Sequence, residues 1–131
     1  MWGHEWVGMI EIGRTRWAIS EGWIPSQSTY ADRALQSHET ACMLNATDRD
    51  AQIRIYVFFA DREPVGPYEI SIKAQRTLHL RFDDMNDPPI PRDTDYSSVI
   101  VSDVPIVVQH TRLDSRKAEV ALMTTMAFSQ F

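Results

Sequence analysis

An apolar strand-like run that ends in four hydrogen-bonding side chains does most to constrain how this chain can fold. Residues 105–114 read PIVVQHTRLD. Ile106, Val107 and Val108 favour burial, whereas Gln109, His110, Thr111 and Arg112 need hydrogen-bond partners wherever they are covered. In an extended strand successive side chains point to opposite faces, so Val108, His110 and Arg112 share one face while Val107, Gln109 and Thr111 share the other. Polar chemistry is thus carried into a covered place. A buried guanidinium without a carboxylate is expensive, so Arg112 must reach an internal acid such as Asp95 or Asp114, a bound anion, or solvent.

The remainder reads as strands and turns. Residues 13–21 carry Thr15, Trp17, Ile19 and Glu21 on one parity, with Gly22 as a stop. Residues 23–36 hold Pro25 and mixed polarity, which predicts a long loop with a helical turn near 31–35. Residues 38–45 form a second strand, closed by the turn-forming side chains of 45–50. Alternation is clean in the third, where Ile53, Ile55, Val57 and Phe59 face one way. The prolines and glycine of 61–67, DREPVGP, are expected to stop that strand. Tyr68, Ile70 and Ile72, then Leu78, Leu80 and Phe82, alternate across a short link and predict a hairpin. Residues 83–95 contain three prolines and five aspartates and read as a surface loop. Strands are expected over 98–102 and 104–113. Residues 118–128 mix helix formers with Val120, Thr124 and Thr125, and strand is the preferred reading. About seven or eight short strands without alternating helices imply an all-β, single-domain antiparallel β-sandwich, with a barrel as the other solution.

Composition narrows the functions. The chain has 131 residues, 44% hydrophobic and 24% charged, which suits one globular core. No apolar run approaches the roughly 18 residues of a membrane span, so no membrane insertion is expected. The start, MWGHEWVGMIEI, lacks a basic leader and a cleavage site, and Cys42 is the lone cysteine; both favour a cytoplasmic location. Cys42 reads as a small buried hydrophobe. A net charge of −5 argues against a nucleic-acid partner, because such binding rests on cations that neutralise phosphates. Catalytic signatures are missing: there is no G-x-S-x-G elbow, phosphate-cradling glycine loop or H-E-x-x-H pair. The reading is therefore a non-enzyme with no cofactor. Asp83, Asp84, Asn86 and Asp87 lack the glycine and distal glutamate of an EF-hand loop, and a proline-braced acidic turn is expected there rather than a metal site.

Five segments, GRTRWAISEGWIP, SHETACMLNATD, DREPVGPYEI, RFDDMNDPPIPRDTDYSSVI and VPIVVQHTRLDSRKAEVAL, together resemble the sensory rhodopsin transducer family over residues 13–128. Residues 1–12 look like an N-terminal extension to a domain spanning 13–131. The resemblance implies a cytoplasmic β-sandwich that assembles as a homotetramer, has no known catalytic chemistry and transduces a signal by contact with a microbial sensory rhodopsin or another signalling protein. It also implies a wider set of small-molecule, sugar-like ligand-binding domains, and DNA binding has been suggested for the cyanobacterial member.

A sugar-like ligand needs an aromatic face and a few convergent polar groups in a concave site. Trp17, Glu21, His38, Glu39, His110, Arg112 and Asp114 are the candidate ligand-binding residues. Each has a plainer role: Trp17 as core filler, Glu21, His38 and Glu39 as solvated or turn-capping strand ends, Arg112 as half of an internal ion pair. Arg76 is a second cation expected to pair with Asp93 or Asp95. Trp2, Trp6, Val7 and Ile10 are expected to pack on a neighbouring subunit or on the sandwich itself.

Overall fold

The computed structural model describes residues 12–130, so the expectation for Trp2, Trp6, Val7 and Ile10 lies outside the described residues. Eight antiparallel strands follow in chain order: β1 (Arg14–Ile19), β2 (His38–Asn45), β3 (Ala51–Phe59), β4 (Val65–Ile72), β5 (Arg76–Arg81), β6 (Tyr96–Asp114), β7 (Ala121–Met126) and β8 (Phe128–Ser129). Two single 3-10 turns, Arg33–Leu35 and Phe82–Asp84, are the helical elements among the described residues. The first falls inside the predicted helical turn, and the last segment is strand, as preferred.

One long strand organises both halves. The first part of β6 lies between β3 and β1, with Ile53 opposite Ser102 and Trp17 opposite Ile100; β4 extends this ladder beyond β3 and β8 beyond β1. Its second part lies between β2 and β7, with His38 opposite Leu113 and Gln109 opposite Met126; β5 flanks β2. The core draws on both ladders: Ile53, Ile55 and Val57 of β3, Ala41 and Met43 of β2, and Ile100, Ile106 and Val108 of β6. Each of the larger side chains, Ala41 aside, contributes about 1.5–3 kcal/mol by leaving water.

Three expectations about strands need correction. The segments 98–102 and 104–113 are one 19-residue strand. Pro105, which lacks an N–H, is tolerated because it sits between Ser102, the last partner of β3, and Val107, the first partner of β2. The 61–67 segment does not end in a stop, since β4 already begins at Val65 and runs through Gly66 and Pro67. As an edge strand, β4 does not need that missing donor. Gly66 has φ +120° and lies so near β3 that a Cβ would come within 2.6 Å of the Ile55 carbonyl oxygen. Finally, β4 and β5 do not form a hairpin: β4 pairs with β3 and β5 with β2, so the link crosses between ladders. Asn45 fixes that corner by donating its amide to the carbonyls of Ile72 (3.1 Å), Lys73 (3.3 Å) and Arg49 (2.8 Å).

Gly13 marks the entry to β1. With φ +109° and a built Cβ only 2.2 Å from the Ile106 carbonyl oxygen, it admits no side chain. Gly13→Ala is expected to lower stability by about 1–3 kcal/mol, read as a fall in the urea midpoint at unchanged slope.

Candidate functional site

The Glu39 carboxylate is the centre of the polar interior. It lies on β2 with 1% of its surface exposed. Cross-strand register places it directly opposite Arg112. Its Oε1 accepts from Tyr96 Oη at 3.1 Å and from His110 Nε2 at 2.8 Å. Its Oε2 accepts from the Trp23 backbone N–H at 2.7 Å and from Arg112 Nε at 2.9 Å, with Arg112 Nη2 at 2.8 Å. A carboxylate has about four acceptor positions, and these donors fill them. Arg112 Nη2 also donates to Glu21 Oε1 at 3.1 Å, at the exposed end of the array.

The sequence explains how these groups converge. Tyr96, Ile100, Val108 and His110 share the inward face of β6 by strand parity. Trp23 follows Gly22, whose carbonyl accepts the Tyr96 N–H at 2.9 Å and which has no room for a Cβ beneath the Tyr96 ring. That contact turns the loop so that the Trp23 amide points at Glu39. Burial alone would raise the Glu39 pKa, but hydrogen bonds from His110 and the Trp23 amide, with the Arg112 charge, outweigh it and hold the carboxyl below its ordinary value. Burial, reinforced by the adjacent carboxylate, pushes the Tyr96 hydroxyl far upward, so it stays a donor.

Beside this array lies a cleft of about 440 Å³ between β1 and the β7–β8 segment. His110 lines it along with Ile19, Glu21, Thr125, Met126 and Phe128.

Of the predicted site residues, Glu21, Glu39, His110 and Arg112 come together, and His110 and Arg112 are neighbours on one face as the alternation requires. The others stand apart from the Glu39 array. Trp17 is core, donating its indole N–H to the Arg14 carbonyl at 3.0 Å. His38 Nδ1 meets the Gln36 carbonyl at 2.6 Å. Asp114 is held by Arg116, not Arg112, at 2.7 Å. Arg112 therefore pairs with Glu39 and Glu21 instead of Asp95 or Asp114, because strand register, not chain proximity, selects its partner. Arg76 does not meet Asp93 or Asp95; it donates to the Gln75 carbonyl at 2.9 Å. Cys42 is only half-buried, with its sulfur 3.8 Å from Thr111 Oγ1. Sequence reasoning missed Tyr96, which inward parity with Ile100 could have flagged, and the Trp23 amide, for which no side-chain signal exists.

These features define an all-β sandwich protein with a saturated buried carboxylate beside a small cleft. The chain belongs to the family described as Anabaena sensory rhodopsin transducer, whose family model matches residues 12–129. Two solved structures are similar to it. The Anabaena sensory rhodopsin transducer is 56% identical with a TM-score of 0.71, over 78% of this chain and 99% of its own. The crystal structure of Thermotoga maritima 1070 is 37% identical with a TM-score of 0.80, over 90% of this chain and 96% of its own. Among curated proteins none matches.

Removing the Glu39 charge strands its donors. Glu39→Gln is expected to cost about 3–5 kcal/mol in denaturant unfolding. Because the folded pKa is depressed, the wild-type contribution is complete above about 4.3, the ordinary carboxyl value, and is lost as pH falls through the lower folded value. Urea titrations across that acid window should show wild-type stability dropping more steeply than that of Glu39→Gln.

Proposed function

We propose that this chain is a non-catalytic signalling protein that works by protein–protein contact with a membrane sensor or a downstream partner. The observation that carries this reading is the 56% identity to the Anabaena sensory rhodopsin transducer over 99% of that chain. A microbial sensory rhodopsin is accordingly the first partner to test. The surface is compatible with such a role: β7 and β8 expose the large apolar side chains Leu122 (67%), Met126 (54%) and Phe128 (64%). The net charge of −5 is complementary to the Lys and Arg enrichment of cytoplasmic membrane-protein loops, and it favours such a partner over nucleic acid. No helix among the described residues is long and apolar enough to cross a membrane. The proposed location is cytoplasmic.

The proposed assembly is a homotetramer. The unpaired edges of β4 and β5 and the exposed Leu122 of β7 are what symmetric association would cover. A second reading, a small-molecule-binding domain, is favoured by the cleft that His110 and Glu21 line. Arg112 is committed to Glu39 and Glu21 and does not line that cleft, so this reading rests on His110 and Glu21. A ligand that prefers one assembly state would link the two readings.

Light scattering of the purified protein should give four times the chain mass, and immobilised, detergent-solubilised sensory rhodopsin should retain it. Leu122→Asp, at an exposed position, should keep the wild-type far-ultraviolet circular dichroism while weakening assembly or retention by about tenfold or more. A wild-type protein that the rhodopsin does not retain would set that partner aside.

A further inference from the structure

His110 carries an unspent hydrogen-bonding atom. The ring is 2% exposed, and its Nε2 must hold the proton because Glu39 Oε1, 2.8 Å away, is an acceptor. This bond fixes the ring and leaves Nδ1 as the second polar atom. Nδ1 has no hydrogen-bond partner among the described residues, yet the one fully buried side-chain polar atom without a partner there is Ser98 Oγ. Nδ1 is therefore not sealed inside protein. His110 is among the residues that line the cleft, and the ring's second nitrogen is assigned to that opening.

The charges around this ring are unequal. Glu39 and Glu21 bring two carboxylates, and Arg112 is the one guanidinium that both share. These two carboxylates and one guanidinium sum to one negative charge. Glu21, which also lines the cleft, gives Oε1 to Arg112 and leaves its other oxygen free to accept. The walls beyond these acceptors are mostly apolar, with Ile19, Met126 and Phe128 the largest side chains and Ser20 and Thr125 the hydroxyl-bearing ones. At about 440 Å³ the space is within the range of small-molecule sites.

We propose that this cleft binds a small organic ammonium, which donates N–H groups to His110 Nδ1 and the Glu21 carboxylate and lays its apolar body against Ile19, Met126 and Phe128. An ammonium supplies both the missing positive charge and several donors from one atom. The exposed Phe128 ring adds a face that attracts cations. An alcohol would satisfy the acceptors without the charge, and a carboxylate would meet two acceptors and repulsion. The inference rests on the small-molecule reading above and specifies its ligand class.

The test is a titration of the full-length ¹⁵N-labelled protein near neutral pH with benzylamine, benzyl alcohol and benzoate, followed through the His110 ring nitrogens by long-range proton–nitrogen NMR. Benzylammonium should move the Nδ1 resonance saturably, with a dissociation constant at least about tenfold below that of benzyl alcohol. Glu21→Gln, at a mostly exposed position, should keep the wild-type unfolding temperature and lose that preference. If benzyl alcohol matches benzylamine at His110, or benzoate binds better, the ammonium assignment falls while a ligand-binding cleft stands. If none of the three moves His110, both fall together.

Discussion

A carboxylate with almost none of its surface in water has lost several kcal/mol of hydration, and it stays charged in a core only when every lone pair is occupied. Glu39 meets that condition with donors from four places in the chain: the amide of Trp23, Oη of Tyr96, Nε2 of His110 and the Arg112 guanidinium. The loop after β1, strand β2 and both halves of β6 are thereby tied to one point. Apolar packing of Ile55, Ile100 and Val108 drives collapse without direction, whereas the carboxylate accepts one arrangement of its donors. The buried charge disfavours slipped strand registers, since a one-residue slip would turn Glu39 or Arg112 to the opposite face and leave its partners buried without it.

The same reasoning explains why β6 is long. Tyr96 and His110 both serve Glu39 Oε1, yet they stand fourteen positions apart on one strand. Fourteen extended residues would span roughly 46 Å, so both side chains reach one atom only because β6 bends between them, and Pro105 falls in that stretch, where the partners change. The loop over residues 22–37 is held by similar means: Arg92 donates to the carbonyls of Pro25 and Ser37, and Asp93 accepts from the Ser26 N–H. An irregular segment fastened at several points can aim a backbone amide as reliably as a strand does.

How much of this was legible depended on the range of the interaction. Strand periodicity in 53–59 and 106–113 is local, so the faces of Ile53, His110 and Arg112 followed directly from the sequence. Strand pairing is not local, and the short link between β4 and β5 suggested a hairpin that the structure replaces with a crossover. Partner choice for Arg112 failed for the same reason, because Glu39 lies opposite it only once β2 and β6 are in register. Gly66 and Pro67 read as strand breakers until β4 is known to be an edge, where their defects cost little. The Trp23 contribution is a main-chain group, to which side-chain identity gives no clue.

The array reaches the surface at one end and a cleft at the other. Arg112 divides its guanidinium between a buried acid and the exposed Glu21, while His110 holds the same buried acid through Nε2 and is one of the residues lining the cleft. Anything that draws Glu21 away from Arg112, or adds a donor at His110 Nδ1, changes the charge balance felt by Glu39 in low-dielectric surroundings, where such changes are weakly screened. Glu39 in turn holds the loop through the Trp23 amide, and that loop also docks on Ser115 at the end of β6 through the Thr29 N–H at 2.7 Å. A contact made at the cleft or at Glu21 is therefore connected, by hydrogen bonds of ordinary length, to the loop over residues 22–37 and the end of β6.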